Sequence, residues 1–308
     1  MFDVVCIGNA TLDVFVEIEA EKKEGCIILP CGSKQEVKGI HYATGGGATN
    51  TAVSFSRMGL NTAILAAVGK DDSGNSVVHE LEKEKVNTDL ITKLPKYKTA
   101  YSAIITGRGF DRIIFTYGGA TTHLEKEGQI KWEKLKKTKW FYLSSFHSKP
   151  SLLKKIFDFA LKNKVKVAWN PGKSELKHGL GKLKPMLKKT EILFLNEEEA
   201  EFLTGESTVN ESIEKLQKHV PVVVITRGRH GSIAFDGKKH YVEGTNNIEV
   251  VDSTGAGDAF NAGFLTAVIW KKGIQKALVL GTRNAEAILV KMGAKNNLLK
   301  EKQAKMYT

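Results

Sequence analysis

Residues 252–264 read Asp-Ser-Thr-Gly-Ala-Gly-Asp-Ala-Phe-Asn-Ala-Gly-Phe, a run that places small residues between two carboxylates. It follows the β-branched stretch Ile248-Glu249-Val250-Val251. It leads into apolar positions at Phe260, Phe264, Leu265, Val268 and Ile269, so the spacing predicts a strand turning into a helix. The amides of Gly255, Ala256 and Gly257 would then stand unpaired at a helix N-terminus, where the helix dipole is positive. That setting suits a phosphate or a developing oxyanion. Asp258 stands at its mouth. A carboxylate there would repel a phosphate, so its chemistry is to take a proton from whatever attacks that phosphate. The competing reading is a plain helix cap with glycines for close packing; Asp on both sides of the turn favours the chemical one.

Other clusters extend this reading. Tyr42-Ala43-Thr44-Gly45-Gly46-Gly47-Ala48-Thr49-Asn50 offers a glycine-rich hinge and close approach to main-chain amides, with the Asn50 amide near a helix start. Asp13 follows the first apolar strand after Gly8 and Asn9, beyond the carboxyl end where open α/β sheets bind ligands, and a carboxylate there can pair with sugar hydroxyls. Asn196-Glu197-Glu198-Glu199 opens a helix after another apolar strand. The helix dipole alone favours acids there, and the chemical alternative is magnesium held through water by Asn196 and Glu199. Thr226-Arg227-Gly228-Arg229-His230-Gly231 is a further post-strand turn suited to phosphate or ribose. No GxxxxGK[ST] loop, protein-kinase motif set or GxGxxG after the first strand is present, which counts against P-loop enzymes, protein kinases and dinucleotide oxidoreductases.

The elements that must hold these groups alternate. Strands are predicted at 4–7, 62–67, 140–143, 166–169, 192–195, 222–225 and 232–235. Helices are predicted at 50–58, 76–84, 150–162, 197–203, 211–219, 257–271 and 273–291. Such alternation argues for a mostly parallel sheet covered on both faces. Residues of about 13–43 and 97–118 alternate with period two instead, and Gly107-Arg108-Gly109 reads as a turn, so they predict a small inserted sheet acting as a lid on one domain spanning 1–308.

Composition fits this picture. The 308 residues are 42% hydrophobic and 26% charged, with no apolar run near the roughly 20 residues of a membrane span. Met1-Phe2-Asp3-Val4 runs directly into a strand pattern without a signal-peptide basic region, and Cys6, Cys26 and Cys31 form no CxxC pair. A cytoplasmic protein with reduced thiols is the expectation. The net charge of +12 raises nucleic acid as a partner, but the excess is mostly lysine spread over helices, with no aromatic-basic alternation. A solvated surface that draws anionic substrates is the better account.

In this order, the clusters resemble the ribokinase-like (PfkB) family of carbohydrate and nucleoside kinases along nearly the whole chain. Gly45-Gly46-Gly47-x-x-Asn50, Met58-Gly59 and Val68-Gly69-x-Asp71-x-x-Gly74 are similar to the family's N-terminal signature, and Asp252-x-Thr254-Gly255-Ala256-Gly257-Asp258 to its more specific C-terminal one. Asn196-x-x-Glu199 is similar to its magnesium-linked motif, and Trp169-Asn170-Pro171-Gly172 and Phe202-Leu203-Thr204-Gly205 also resemble family segments. The resemblance implies a ribokinase-like three-layer α/β/α core with a small β-sheet lid, ATP as donor, and magnesium. Asp258 would be the general base, and the amides of Gly255, Ala256 and Gly257 the anion hole. Asp13, Gly46, Gly47 and Asn50 would hold the acceptor. Asn196, Glu199, Thr226, Gly228 and Gly231 would line the nucleotide and magnesium side, with Asn284 flanking the adenine. Asp252 and Thr254 resemble positions that bind potassium in some members. The lid sheet would also form a homodimer contact.

The departures concern the acceptor. Ribokinases carry an acid after the strand at 140–143, where this chain reads Ser144-Ser145-Phe146-His147. Members acting on phosphorylated sugars carry arginine on the second lid strand; here Ile113 and Ile114 stand near that place, with Arg108 and Arg112 close by. Tyr101, Phe115 and Tyr117 offer cover for a nucleobase. The expectation is a carbohydrate kinase, with nucleoside kinase, then phospho-sugar kinase, then a sugar-binding regulator without turnover as alternatives.

Overall fold

The computed structural model describes residues 1–20, 22–23, 26–107, 112–127, 130–145 and 150–308. The proposed turn residues Arg108 and Gly109, and Phe146 and His147 near the acceptor, lie outside them.

Alternating burial of the first strand, Phe2–Ile7, sets the layering. Val4 and Cys6 face one apolar cluster and Val5 and Ile7 the other, all fully buried. Period-two side chains can fill two cores only if helices cover both faces of the sheet. The sheet runs, from one edge, Thr62–Leu65, Phe2–Ile7, Thr138–Leu143, Lys166–Trp169, Ile192–Asn196, Val222–Thr226, Ser232–Phe235 and His240–Glu243. Successive neighbours are parallel as far as Val222–Thr226, and the last two strands are antiparallel. All the parallel strands therefore present their carboxyl ends to one edge, the place where such sheets bind ligands. Helices Gly47–Arg57, Ala256–Ile269 and Ile274–Leu289 close one face, with Phe264 packed edge-on against Phe194 at 5.4 Å. Helices including Pro150–Lys162 close the other, where Phe157 meets Trp169 at 5.2 Å.

A second sheet of four strands is ordered Ile113–Tyr117, Ala100–Gly107, Thr11–Ile18, Gly39–Gly45. Its registers pair Leu12 with Tyr101, Tyr101 with Tyr117, Val14 with Tyr42 and Ala103 with Phe115. Asp13 pairs with Ser102, and Ser102 with Thr116. Because side chains alternate, Tyr101, Phe115 and Tyr117 share a face with Tyr42, opposite the face of Asp13. The aromatics expected to cover a nucleobase therefore lie on the sheet face away from Asp13.

Three other expectations change. The stretch Ile248–Val251 forms no strand: the amides of Val251 and Asp252 donate to the Leu289 carbonyl at 2.8 and 3.2 Å instead of to a neighbouring strand. The strand expected at 62–67 divides into Thr62–Leu65 and Ala67–Gly69, the second pairing with Thr92–Leu94 in a separate ribbon. The amphipathic helix expected around 182–189 starts earlier, as Gly179–Leu187, despite its two glycines and Pro185, because Leu183, Met186 and Leu187 are buried along one stripe. No helix among the described residues is long and apolar enough to cross a membrane.

Candidate active site

Two helix N-termini meet where the sequence placed its clusters. The turn before Gly47–Arg57 is held by Gly46, at φ 95°, where a Cβ would come within 2.4 Å of the Asn9 carbonyl oxygen. Only glycine fits that conformation and that space. A turn later, the Asn50 Nδ2 donates to Asp258 Oδ2 at 2.9 Å, joining residues from opposite ends of the chain. Asn50 is buried, and its Oδ1 has no partner among the described residues, so this acceptor is open to a ligand hydroxyl. Gly47 lies against the same carboxylate: a Cβ there would stand 3.3 Å from Asp258 Oδ1 and 2.8 Å from Ser144 Cβ.

Asp258 sits in the first turn of Ala256–Ile269, whose cap, Gly255, adopts the left-handed conformation at φ 79°. The amides of Gly255 and Gly257 have no acceptor among the described residues, whereas the Ala256 amide donates to Ser253 O at 3.2 Å. Of the three amides expected from sequence to form an anion hole, those of Gly255 and Gly257 are thus left unpaired among the described residues, and that of Ala256 is partly spent on the turn. Burial pushes the Asp258 carboxyl above its usual range, while the Asn50 hydrogen bond and the positive charge of Lys295 pull it back.

Asp13 is reached through the small sheet. It is buried, accepts from Thr11 Oγ1 at 2.9 Å, and a Cβ on Gly45 would fall 1.8 Å from its Oδ2. Burial raises its carboxyl too, against hydrogen bonds from Ser102 and Thr11 and the Lys295 charge. Across the sheet, Asn196 and Thr226 are paired neighbours at the ends of adjacent parallel strands. Asn196 and Glu199 cap their helix reciprocally, at 2.7 and 3.0 Å. The second Glu199 oxygen has no partner among the described residues, and burial raises this carboxyl, with a smaller push from the Asp258 charge. Beyond Thr226, Gly228 and Gly231 bracket an exposed turn through His230.

Asn284 does not belong to this surface. It is fully buried, its Nδ2 donates to Ser54 Oγ and Ala259 O at 2.9 and 2.7 Å, and its Oδ1 accepts from Leu299 N. Its polar atoms knit three segments of the core, so the adenine-flanking role is withdrawn. Asp252 is also fully engaged. Its Oδ1 accepts from the Thr254 amide at 2.9 Å, Thr254 Oγ1 at 2.7 Å and Arg112 Nη1 at 3.2 Å, and its Oδ2 accepts from the Gly293 amide at 2.8 Å. Burial alone would raise this carboxyl, but the Gly293 and Thr254 hydrogen bonds and Arg112 hold it below the usual range.

Sequence reasoning missed Lys295. This buried ammonium donates to the Thr44 carbonyl at 2.8 Å, to Thr44 Oγ1, and to Glu80 at 3.2 Å, so it pins the hinge strand to the C-terminal segment. Arg57, paired with Glu84, in turn holds the Lys295 carbonyl at 2.6 Å. Burial lowers the Lys295 ammonium against the raising effect of Glu80 and Asp13. In a chain this rich in lysine, nothing local marked it out; only its place after Gly293-Ala294 hints at a constrained backbone.

A parallel sheet with helices on both faces, a second small sheet, and an acid beside a helix N-terminus together define a ribokinase-like α/β enzyme. The model of the pfkB family carbohydrate kinases matches residues 1–301, and the chain belongs to that family. It is 25% identical over 300 residues to a nucleoside kinase of Methanocaldococcus jannaschii, covering 97% of this chain and 94% of that protein. It is 28% identical over 305 residues to a ribokinase of Haemophilus influenzae, covering 94% and 95%. The structure of Arabidopsis thaliana ribokinase complexed with ribose and ATP superposes with a TM-score of 0.85 at 23% identity, covering 99% of this chain and 98% of that one. The chain is therefore a kinase of the carbohydrate and nucleoside class.

One consequence of the Lys295 charge is testable by pH. With Asp258 as the base, which works only while ionised, turnover would fall as pH drops through its pKa. Lys295→Met removes a charge that favours the ionised carboxylates of Asp258 and Asp13. The acid limb of kcat/KM is therefore expected to move to higher pH. An acid limb that stays in place, measured on folded protein, overturns this coupling.

Proposed function

We propose that this protein transfers the terminal phosphoryl group of ATP to an alcohol of a free sugar, with Asp258 as general base. The observation that carries the reading is the Asn50–Asp258 contact, with the unpartnered Asn50 Oδ1 and the Gly255 and Gly257 amides around it. Asp258 would take the proton of the attacking hydroxyl, and the helix N-terminus would receive the charge of the transferred group. Asp13, with the Asn50 oxygen, offers acceptors for further hydroxyls. Polar acceptors on this face of the lid, with the aromatics on the other, favour a sugar over a nucleobase.

Asn196, Thr226, Gly228 and Gly231 line the nucleotide side in this reading. The free oxygen of Glu199 fits a magnesium ion that keeps its own waters and needs few direct protein ligands. Held near Glu199, such an ion would supply positive charge to offset that of the phosphates. The ATP complex of the Arabidopsis ribokinase supports ATP as the donor. The outer face of the small sheet exposes Ile40, Tyr42, Ile113, Phe115 and Tyr117, an apolar patch that supports a homodimer through the lid; a monomer in sedimentation at assay concentrations overturns that contact.

The test is ATP consumption across a panel of free sugars, phosphorylated sugars and nucleosides. A free sugar should stimulate ADP formation well above the acceptor-free background. Binding without turnover would mark a sugar-sensing regulator instead, and turnover with nucleosides alone would overturn the acceptor class.

A further inference from the structure

Asp252, beside the anion hole, holds a second cationic group that this family resemblance did not predict. Arg112 precedes the small-sheet strand Ile113–Tyr117 by one residue, and its Nη1 reaches Asp252 Oδ1 at 3.2 Å and Ser253 Oγ at 3.3 Å. The Asp252 side chain is 10% exposed and that of Arg112 29%, so this pair is shielded more than an open surface bridge. Three donors already converge on Asp252 Oδ1 and one on Oδ2. A potassium ion coordinated through Oδ1 would have to displace donors already there, and at either oxygen it would sit against a guanidinium of its own sign. These residues, as arranged, do not fit the monovalent-cation site that the family resemblance implied.

We propose that Arg112, carried by the lid sheet, supplies at Asp252 the positive charge that potassium supplies in some relatives, so that this enzyme works without a monovalent cation. The charge neutralises the carboxylate next to the segment that sets Gly255, and Ser253 ties the same guanidinium to the turn. Arg112 is a positioning residue: it bonds Asp252 and Ser253 and acts through Asp252 and the cap of Ala256–Ile269. Because it rides on the small sheet, the charge is in place only while that sheet lies over the site. Lid closure and completion of the anion hole are then one event. The proposal rests on the phosphotransferase reading for its effect on turnover, but not for its effect on cation binding.

Two readouts separate these. First, thermal melting of the parent protein and of Arg112→Ala is compared in potassium chloride and choline chloride at equal ionic strength. The parent should show no potassium-specific shift, and Arg112→Ala should be stabilised by potassium specifically, since the carboxylate, still held by Thr254 and Gly293, then has no cationic partner and draws one from solution. Second, parent turnover should be the same in both salts. Arg112→Ala in choline should fall about tenfold, less than the ~10²-fold of losing a hole donor itself. Potassium should restore part of it, and Arg112→Lys should stay insensitive to the salt. A parent activated or stabilised by potassium overturns the proposal, and so does a folded Arg112→Ala indifferent to it. If Arg112→Ala does not fold, the parent and Arg112→Lys decide by the same criteria. If no acceptor supports turnover, the phosphotransferase reading fails while the melting comparison still judges the cation site.

Discussion

Asp258→Asn is expected to lower kcat by roughly 10²–10⁴-fold, the range for losing general-base help, while nucleotide affinity stays near that of the parent. The substitution keeps the shape of the side chain and removes only its ability to take a proton. The Asn50 contact survives in altered form, since an amide oxygen can accept from Asn50 Nδ2 as the carboxylate does at 2.9 Å. Little structural loss should therefore confuse the result, and a melting curve close to the parent's checks this. The effect belongs in kcat because the proton moves only in the chemical step. A variant keeping roughly a tenth or more of parent turnover would show that the hydroxyl loses its proton without this carboxylate.

Gly255→Ala is the second large effect, and it acts through the backbone. The cap holds φ 79°, where an alanine costs roughly 1–2 kcal/mol. Its Cβ would also stand 2.5 Å from Ala294 Cβ and 2.9 Å from Ala294 Cα, a backbone position that cannot swing aside. Relief requires the helix start to rotate or withdraw, which takes the Gly255 and Gly257 amides off the transferred group. Loss of one such donor costs about 10²–10³-fold in kcat. Gly257→Ala is the internal control, because nothing lies within 4 Å of a Cβ at that position. The pair should therefore separate, with Gly255→Ala crippled and Gly257→Ala mild. Equal losses would mean that the glycines matter for ligand access and not for the aim of the helix.

Much of this site was legible because its signals are local. Strands at 166–169 and 232–235 and the helix at 150–162 have the bounds read from sequence, since burial on both faces or on one stripe writes itself into apolar spacing. The convergence of Gly46, Asn50 and Asp258 follows from strand–turn–helix patterns that each point to one sheet edge. What failed depends on neighbours far along the chain. Asn284 carries the same amide as Asn50, and only the packing of Ser54, Ala259 and Leu299 around it makes one structural and the other open to a ligand. Ile248-Glu249-Val250-Val251 has the β-branched character of a strand, but the amides of Val251 and Asp252 are taken up by the distant Leu289 carbonyl. Tyr101 and Asp13 look like lining of one pocket until the register sets them on opposite faces. Gly179–Leu187 is a helix against its own propensity, because tertiary burial outweighs two glycines and a proline.

The bond between Asn50 and Asp258 has a bearing on how the molecule comes into being. Every strand of both sheets has been made once Glu243 is polymerised, and domains tend to form as units while the ribosome is still adding residues. A nascent chain at that stage has the residues proposed to cradle the acceptor but neither Asp258 nor two of the three helices that cover one apolar face of the sheet. In the proposed reading, turnover must wait until about the last fifth of the polypeptide docks, and a prematurely terminated product would expose that apolar face without consuming nucleotide.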